Sequence, residues 1–414
     1  FFYRRPSEKM SVIGVTGTNG KSSVVSFISQ LFEQLEEKTG YTTTVAFKVG
    51  DKNWLNDKKM TMLGRGSLQK MLYQMVQAET KYAIIETSSE GIAQARHIGI
   101  NYDTAVFTNL TPEHIESHGS FEKYKKAKQE LFDHTVRLPR KKIDGEEIKK
   151  LAIINADSEH AVDFVRKGFD EVFAHSIEGG ALSGVTKNIN VEEHATSIKG
   201  SSFTIEGVGF TTSLFGEFTL ENVVSAITTV HALGHSLEDL VEPVKKLMSV
   251  PGRLESIDEG QGFGVLIDYA PEPASVSALY ETLSLYNYRK LIHVLGSCGG
   301  GRDTSRRAVL GSMAGKKADI VIVTNEDPYD EDPAIIIKDV ADGARKVGKI
   351  DNEDLFEVQN RKEGIAKALS LANPGDLVVI TGKGSEQAMV VKNNKKIPWD
   401  DRVITRELLS KICG

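Results

Sequence analysis

The sequence predicts an α/β protein of two domains, each with a mostly parallel β-sheet covered by helices. Two observations support this fold class. Short apolar runs at residues 11–15, 82–85, 104–107 and 152–154 alternate with helix-forming sequence, and such alternation is typical of parallel sheets covered on both faces. A second set of alternating runs begins beyond Pro251, which predicts a second domain of the same class.

The first domain is expected to open with a strand, a glycine-rich turn and a helix at 22–36. Within residues 189–215, Ser, Thr and Gly alternate with Ile, Val and Phe, which predicts a small antiparallel β insert. A helix at 220–233 follows the insert. This domain therefore combines a mostly parallel sheet with a β-rich addition.

The second domain is expected to start where Pro251 and Gly252 interrupt the chain. We predict its strands at 264–267, 291–295, 320–323 and 377–380, and its helices at 274–284, 305–317, 333–345 and 362–371. The expected organisation is a leader remnant at 1–10, a first domain at 11–250 and a second at 251–414.

Composition restricts the classes of function. The 414 residues suffice for two or three domains. With 51 basic and 57 acidic residues the net charge is −6, so no global positive field recruits nucleic acid or an anionic membrane. No run of 18 apolar residues occurs, so we expect no membrane segment. Two cysteines are too few for a disulfide framework, and a cytoplasmic location fits best.

A phosphate-binding loop is the strongest local signal. The segment Gly14-Val-Thr-Gly17-Thr-Asn-Gly-Lys-Ser22 follows a predicted strand and opens a helix. Glycines let backbone N–H groups converge on phosphate oxygens, a lysine supplies positive charge, and a serine hydroxyl binds Mg²⁺. The strict pattern places its first glycine where Val15 stands, so this loop is a shorter variant. It predicts ATP binding through Gly17, Thr18, Asn19, Gly20, Lys21 and Ser22.

A metal site is expected beside this loop. Glu86 follows one predicted strand and His114 follows the next. Strand ends of this kind carry ligand-binding residues in α/β sheets, and the two side chains could hold Mg²⁺ near the phosphates. Taken alone, each residue is equally compatible with a surface or capping group.

Together these motifs resemble the Mur ligases of peptidoglycan synthesis, most closely the MurE type, the tripeptide synthetases. The resemblance covers nearly the whole chain, in order. Its motifs are Gly17-Thr-Asn-Gly-Lys-Ser22, Glu86-Thr-Ser-Ser89, Thr108-Asn-Leu110 with His114 and His118-Gly119, Tyr124-x-x-x-Lys128, Gly216-Glu-Phe-x-x-x-Asn222, Gly252-Arg253, Asp268-Tyr-Ala270, Gly299-Gly-Gly-Arg-Asp303, Asp327-Pro328 and Gly382-Lys-Gly-Ser-Glu386.

The resemblance implies an ATP-binding central domain, a Rossmann-like C-terminal domain that binds an amino acid, and ATP-dependent peptide-bond formation. A substrate carboxylate attacks the γ-phosphate of ATP, and the incoming amine then displaces phosphate from the acyl phosphate. For the MurE type, the acceptor is UDP-N-acetylmuramoyl-L-alanyl-D-glutamate. We expect a monomeric enzyme with these small molecules as its partners.

Residue roles also follow from the resemblance. Lys21, Glu86, His114 and Lys128 form the catalytic set, and Ser22, Glu86, His114 and Lys128 are the Mg²⁺ ligands, with Lys128 carbamylated. The expected ATP contacts outside the loop are Asn222, Arg253 and Asp268. The expected substrate contacts are Ser88, Arg96, Arg302, Asp327, Gly382 and Glu386.

Carbamylation of Lys128 makes chemical sense, because CO₂ converts a cation that repels Mg²⁺ into a hard anionic ligand. His114 and Lys128 lie about 21 Å apart on one straight helix at roughly 1.5 Å per residue, so the chain must turn between them. Gly119 and Ser120 supply a turn and a helix cap. The alternative is an ordinary solvated lysine among its lysine neighbours.

The sequence departs from the family pattern in three ways. Relatives usually carry an N-terminal domain that binds the UDP end of the substrate, whereas here the phosphate loop begins almost at once. Histidines of two family motifs are replaced by Pro271 and Ser385. The asparagine-proline-arginine motif that reads diaminopimelate becomes Asp327-Pro328-Tyr329, and a neutral tyrosine cannot replace an arginine fork on a carboxylate.

The third departure favours L-lysine or another diamino acid as the residue added. Acidic side chains surround the altered motif and could hold a side-chain ammonium group. Equally, they could favour the start of the helix near Pro333. These residues are Glu326, Asp327, Asp330, Glu331 and Asp332.

Other functions remain open from the residues alone. A folylpolyglutamate synthase or a cyanophycin-synthetase-like enzyme has the same kind of phosphate loop and the same kind of lysine. The zinc cysteines of a lipid II amidotransferase subunit are absent. A non-catalytic ATP-binding regulator is the alternative from another class, and the complete set of Lys21, Glu86, His114 and Lys128 argues against it.

Overall fold

A computed structural model describes residues 3–111 and 119–413 of the chain. The chain divides into two compact units, Phe1–Met248 and Ser249–Gly414. Each unit contains its own main sheet and its own apolar core. The predicted α/β fold class is therefore confirmed.

In the first unit, the described residues form a sheet of eleven strands in the order β13-β12-β11-β10-β9-β6-β1-β5-β2-β3-β4. Strands β7 and β8 make a separate hairpin. The strands are β1 Ser11–Thr16, β2 Thr39–Thr42, β3 Ala46–Val49, β4 Lys52–Leu55, β5 Tyr82–Glu86, β6 Thr104–Phe107, β7 Lys142–Ile143, β8 Glu146–Glu147, β9 Leu151–Asn155, β10 Glu171–Ser176, β11 Lys187–Ser197, β12 Gly200–Ile205 and β13 Val208–Thr212.

The central strands of this sheet are parallel, as predicted. The expected antiparallel insert corresponds to β11, β12 and β13. It is continuous with the main sheet, because β11 pairs in parallel with β10. At the opposite edge, β3 and β4 add a second antiparallel extension that the sequence did not indicate. Among the described residues, the α-helices of the unit are Lys21–Gln34, Arg65–Gln77, Ser89–Ala93, Phe121–Arg137, Glu217–Ala232 and Val241–Lys245.

Packing on β1 positions the helix that carries Lys128. Gly14 in β1 has no side chain, and a Cβ there would lie 2.8 Å from the Leu131 side chain and 2.9 Å from the Tyr102 ring. The helix Phe121–Arg137 therefore approaches the central strand closely, with Tyr124, Leu131 and Phe132 fully buried. Ser120 caps this helix by accepting a hydrogen bond from the Lys123 N–H at 3.2 Å, as predicted.

The second unit contains a six-stranded sheet in the order β14-β15-β19-β16-β17-β18, in which only β14 is antiparallel. A hairpin of β20 and β21 lies apart from it. The strands are β14 Glu255–Ser256, β15 Gly264–Ile267, β16 Leu291–Leu295, β17 Ile320–Thr324, β18 Leu355–Val358, β19 Leu377–Ile380, β20 Ala388–Val391 and β21 Lys395–Pro398. The α-helices are Pro273–Leu283, Ser305–Lys317, Pro333–Arg345, Arg361–Leu371 and Asp401–Cys413.

The four predicted strands and four predicted helices of this unit are present to within one residue at each end. The sequence did not indicate β18, the β20–β21 hairpin or the last helix. Among the residues the structure describes, every helix is too short or too polar to cross a membrane.

Candidate active site

The phosphate loop lies between β1 and the helix Lys21–Gln34. Gly20 caps that helix with a φ of +81°, in the left-handed region that favours glycine. A Cβ at Gly17 would lie 1.9 Å from the Thr108 hydroxyl, and a Cβ at Gly20 would lie 2.1 Å from Oδ1 of Asn222. A side chain at either position would therefore displace the Thr108 or the Asn222 side chain from the loop.

The segment that follows β6 holds the phosphate loop in shape. The Thr18 N–H donates to the Asn109 carbonyl at 2.8 Å, and the Asn19 N–H donates to Oδ1 of Asn109 at 2.9 Å. The Thr108 hydroxyl donates to the Asn19 carbonyl at 2.6 Å. These bonds leave the loop ordered without a ligand, which lowers the entropy cost of binding one.

Two lysines point their ammonium groups at carbonyl oxygens of the loop. Lys21 donates to the Thr18 carbonyl at 2.6 Å. Lys128 is buried and donates to the Gly17 carbonyl at 2.6 Å, and its Nζ lies 4.3 Å from the centroid of the Tyr124 ring. The alternative of a solvated helix lysine is therefore wrong for Lys128.

Tyr124 contributes a second contact to the same loop. Its hydroxyl lies 3.0 Å from the Thr18 hydroxyl. The four-residue spacing of Tyr124 and Lys128 on one helix places both side chains on one face. That face therefore supplies a hydroxyl and a buried amine to the phosphate loop, a role of Tyr124 that the sequence did not reveal.

Glu86 is a buried carboxylate at the end of β5. Its Oε2 accepts hydrogen bonds from the Ser22 hydroxyl at 2.7 Å and from the Thr44 N–H at 2.8 Å. Its Oε1 accepts from the Thr44 hydroxyl at 3.0 Å. The structure thus joins Glu86 to the phosphate loop, as the sequence led us to expect. Thr44 was missed, because it lies in a polar Thr42-Thr43-Thr44 run that carries no recognisable motif.

These residues fit a magnesium ion. A serine hydroxyl and a buried carboxylate in direct contact are hard oxygen donors, the type that Mg²⁺ prefers. His114, the further ligand predicted from the sequence, lies outside the described residues.

Ser88 and Arg96, the predicted muramyl-peptide contacts, have structural partners. Ser88 caps the helix Ser89–Ala93 by accepting from the Gly91 N–H at 3.1 Å. The Arg96 guanidinium donates to the Met62 carbonyl and to Oε1 of Gln94.

Asn222, a predicted ATP contact, is buried on the helix Glu217–Ala232. Its Nδ2 donates to the Phe218 carbonyl at 2.8 Å, and its Oδ1 lies against Gly20. The structure therefore brings this residue to the phosphate loop from 200 positions away in the sequence.

In the second unit, Asp268, Asp327 and Gly382 follow the carboxyl ends of parallel strands. Asp268 accepts hydrogen bonds from the Leu254 and Ala270 N–H groups at 2.7 and 3.0 Å. Burial raises the pKa of Asp268, and the nearby Arg253 opposes that rise. The Arg253 guanidinium lies 4.5 Å from the centroid of the Tyr269 ring.

The glycines of this unit mark close backbone approaches. A Cβ at Gly252 would lie 2.2 Å from the Ser385 nitrogen, so the chain after Pro251 packs directly on the Gly382–Glu386 loop. A Cβ at Gly382 would lie 2.3 Å from Oε2 of Glu326. The motifs around Gly252, Asp268 and Gly382 therefore form one cluster.

Lys383 organises the cluster, and the sequence gave it no separate role. Its fully buried ammonium contacts both carboxylate oxygens of Asp327 at 2.9 and 3.0 Å and Oε2 of Glu386 at 2.6 Å. Asp327 also accepts from the Val390 N–H at 2.7 Å. Arg302, by contrast, is exposed on the loop after β16.

The acidic residues after β17 are held by protein partners. Asp332 accepts from the Ala334 N–H at 2.9 Å and caps the helix Pro333–Arg345, which confirms the helix-start alternative for that residue. Glu331 pairs with Arg307 at 2.6 Å. Asp330 accepts from the Asn393 N–H at 2.8 Å. The acidic loop is thus largely a structural element.

The first unit's loop, with two lysines and a buried carboxylate beside a serine hydroxyl, defines an α/β enzyme that binds nucleoside triphosphate. Comparison with known proteins narrows the class. Residues 15–230 match the family model of the Mur ligase middle domain. Residues 252–384 match that of the Mur ligase glutamate ligase domain. The chain belongs to the Mur ligase family, as the sequence motifs indicated.

Individual relatives agree with this assignment. The UDP-N-acetylmuramyl-tripeptide synthetase of Borreliella burgdorferi is 35% identical over 414 residues, covering 99% of this chain and 78% of the relative. The UDP-N-acetylmuramoyl-L-alanyl-D-glutamate–2,6-diaminopimelate ligase of Geobacillus kaustophilus is 34% identical, covering 98% of this chain and 80% of the relative. A solved structure of a ligase with the latter name has a TM-score of 0.62 at 27% identity, covering 98% of this chain and 79% of that one.

The membership establishes the reaction class. The chain is an ATP-dependent acid–amino-acid ligase of peptidoglycan synthesis, of the MurE type.

Proposed function

We propose that this enzyme adds L-lysine or another diamino acid to UDP-N-acetylmuramoyl-L-alanyl-D-glutamate through an acyl phosphate. The observation that carries the proposal is the buried Lys128 amine against the Gly17 carbonyl, inside the phosphate loop. A lysine that is buried beside a nucleotide-binding loop fits an enzyme with the ligase reaction far better than it fits a non-catalytic ATP-binding regulator.

The phosphate loop is the proposed binding site for the phosphates of ATP. Gly17, Thr18, Asn19 and Gly20 form the loop around the phosphates, with the Thr18 and Asn19 N–H groups bonded to Asn109. Lys21 supplies positive charge. Lys21 donates to the Thr18 carbonyl, and on our proposal its ammonium contacts the phosphates when ATP binds. Asn222 supports the loop at Gly20. We assign Arg253 and Asp268 to ATP as well, on the family motifs.

The proposed magnesium ligands are Ser22, Glu86, His114 and a carbamylated Lys128. When bound, Mg²⁺ neutralises charge on the transferring phosphoryl group. The Lys128 ammonium first loses a proton, and the neutral amine then bonds to the carbon of CO₂ and releases a second proton as the carbamate forms. The buried setting of Lys128 supports this role, since the protein shields the carbamate from bulk water.

The chemistry proceeds in two displacements. A carboxylate oxygen of the D-glutamyl residue attacks the γ-phosphorus of ATP, and ADP leaves. The amine of the incoming amino acid then attacks the acyl carbon, loses a proton and expels phosphate. We assign residues 11–250 to ATP and 251–414 to the amino acid. In the first unit we place Ser88 and Arg96 at the muramyl peptide.

The second unit supplies the proposed amino-acid contacts. Arg302, exposed on its loop, suits the α-carboxylate. Glu386 suits the α-amine, and Lys383, itself held by Asp327, holds Glu386 in place. We assign Asp327 and Gly382 to the amino-acid substrate as well, on the family motifs. Tyr329 stands where relatives that use diaminopimelate carry an arginine, and this difference supports an amino acid without a distal carboxylate.

A screen of amino acids tests the substrate. The purified enzyme is incubated with ATP, Mg²⁺ and UDP-N-acetylmuramoyl-L-alanyl-D-glutamate plus one amino acid at a time, and products are read by mass. We expect L-lysine or another diamino acid to give a tripeptide and stoichiometric phosphate. A preference for diaminopimelate would contradict the amino-acid assignment. Ligation of glutamate to a folate, with no muramyl product, would contradict the whole proposal.

The Tyr329→Arg variant sharpens the same test. An arginine there restores a fork for a distal carboxylate, so the diaminopimelate-to-lysine ratio of kcat/KM should rise by about 10- to 100-fold. The matched control is Tyr329→Phe, which keeps the ring and should leave the ratio unchanged. An unchanged ratio in Tyr329→Arg would remove Tyr329 from the specificity site.

A further inference from the structure

A second cluster of metal-ligating side chains lies in the first unit, away from the phosphate loop motifs. It comprises His97, Glu130 and His134, whose potential ligand atoms all lie within 4.8 Å of one another. Glu130 and His134 are four residues apart on the helix Phe121–Arg137 and therefore share one face. His97 comes from the turn after the helix Ser89–Ala93.

His97 is the residue that points to a ligand. Its side chain is 3% exposed, and neither ring nitrogen makes a hydrogen bond. Burying a polar ring without partners is costly. A neutral imidazole has a lone pair on one ring nitrogen, so a bound cation would supply a partner that the His97 ring lacks.

A backbone carbonyl sets the tautomer of His134. Its Nε2 lies 2.9 Å from the Ile100 carbonyl, and donation there fixes the proton on Nε2 and leaves the lone pair on Nδ1. Ligating histidines commonly donate their other ring N–H to a backbone carbonyl in this way. The His97 and His134 rings are 4.8 Å apart between centroids and nearly perpendicular, at 84°.

Glu130 completes the set. Its Oε1 lies 3.8 Å from Nε2 of His97 and also accepts a hydrogen bond from Arg137, which is largely exposed. A cation would therefore compete with the Arg137 guanidinium for this carboxylate.

We propose that His97, Glu130 and His134 form a binding site for a divalent cation of the zinc class. Two imidazoles and one carboxylate are a ligand set that Zn²⁺ and Co²⁺ accept, with water in the fourth position. Binding requires the ligand atoms to approach one another by up to about 1.5 Å, to the spacing set by metal–nitrogen distances of roughly 2.0–2.1 Å. A bound ion would fix the turn that carries Arg96 against the helix that carries Lys128.

Cobalt titration of the full chain tests the site. The chelator-treated enzyme is titrated with Co²⁺ without nucleotide, and the visible d–d absorption is recorded. We expect one equivalent to give a tetrahedral band, which equimolar Zn²⁺ abolishes. His97→Val and Glu130→Gln should weaken binding by more than about 100-fold, since loss of even an outer partner costs 10- to 100-fold. His194→Ala, on an exposed strand position, should leave the band unchanged.

Two further measurements test whether the cobalt band comes from this site. Arg137→Gln frees Glu130 and should tighten cobalt binding by about two- to fivefold, the usual worth of an exposed ion pair. Excess Mg²⁺ with ATP should leave the band unchanged, because the phosphate loop offers oxygen ligands elsewhere. The proposal is overturned if wild type gives no band, if His97→Val and Glu130→Gln retain it, or if Mg²⁺ with ATP removes it.

Discussion

The two units each bury a lysine beside a glycine-rich loop, and the two lysines have different contacts. In the second unit, Lys383 is held by the carboxylates of Asp327 and Glu386. In the first, Lys128 and Lys21 donate to carbonyl oxygens of the phosphate loop. The two carboxylates fix Lys383 within the scaffold of the second unit, whereas the contact with Gly17 places the Lys128 nitrogen at the phosphate loop. We therefore expect Lys383 to act in stability and Lys128 in catalysis, and the following experiments test this difference.

Removing Lys128 should have the largest effect. Lys128→Ala takes away the proposed metal ligand, and we expect kcat/KM for ligation to fall by about 1,000-fold or more. Bicarbonate should restore little activity, because alanine has no amine to carbamylate. Lys126→Ala, exposed on the same helix, is the matched control and should retain activity. A fully active, folded Lys128→Ala enzyme would refute the carbamate proposal.

Removing Lys383 should instead damage stability. Lys383→Met leaves two carboxylates facing each other in a buried site, and breaking such a pair costs about 3–5 kcal/mol. Urea unfolding followed by a probe in the second unit measures this loss. Lys392→Met, at an exposed position, should change the unfolding free energy by less than about 0.5 kcal/mol. If both variants unfold at the same urea concentration, Lys383 does not act as a structural ion pair.

Acid should destabilise both units through buried histidines. Burial lowers the pKa of His175 and of His293 to about 3, against about 6.5 in the unfolded chain. As pH falls below 6.5, the unfolded chain binds a proton that the folded chain excludes, so stability decreases with falling pH. The loss is about 2 kcal/mol per histidine at pH 5.

The two histidines differ in their partners, which gives the acid experiment a comparison. Both ring nitrogens of His175 lack hydrogen bonds, whereas His293 contacts the Tyr280 hydroxyl at 2.6 Å and the Thr381 hydroxyl at 3.0 Å. His175→Leu should therefore reduce the acid sensitivity of the first unit at little cost at pH 7. Unit-specific probes at pH 7 and pH 5 measure this, and an unchanged pH dependence in the variant would contradict it.

Ser88 should give the smallest effect and separate its two roles. Ser88→Ala removes a helix cap and should cost about 1 kcal/mol, whereas Ser88→Gly should cost only a few tenths. If the hydroxyl also binds the muramyl peptide, both variants should raise KM for that substrate equally. If KM instead rises only in Ser88→Ala, the less stable variant, then Ser88 acts as a helix cap and does not bind the muramyl peptide.

The sequence predicted those parts whose signal is local. The strand, loop and helix around Gly17–Ser22 can be predicted from residues that are neighbours in the sequence. The same holds for the parallel strands, which are runs of apolar residues. Strands β2 and β4 were missed because Thr39–Thr42 is polar and Lys52–Leu55 is largely exposed. Both strands are stabilised by the strands that they pair with. Those partner strands are distant in sequence or are short themselves, so the local sequence does not indicate them.

The site residues also divide into those with a local signal in the sequence and those without one. Motif order identified Lys128, but only the packing of its helix on Gly14 shows why that lysine is buried among lysines that are not. The roles of Thr44 and Lys383 depend on contacts across 42 and 56 positions. Such contacts leave no periodic pattern in a single sequence, so local reasoning could not reveal them.

The strand order of the large sheet bears on how the chain folds as it is synthesised. On one side of β1 the neighbours β6, β9, β10, β11, β12 and β13 follow in strict sequence order. Each can therefore join a growing edge as it leaves the ribosome. On the other side, β2, β3 and β4 are made before β5, which must enter between β1 and β2. That half stays unfinished until Glu86 is synthesised, so the strand that carries the metal ligand also completes the sheet.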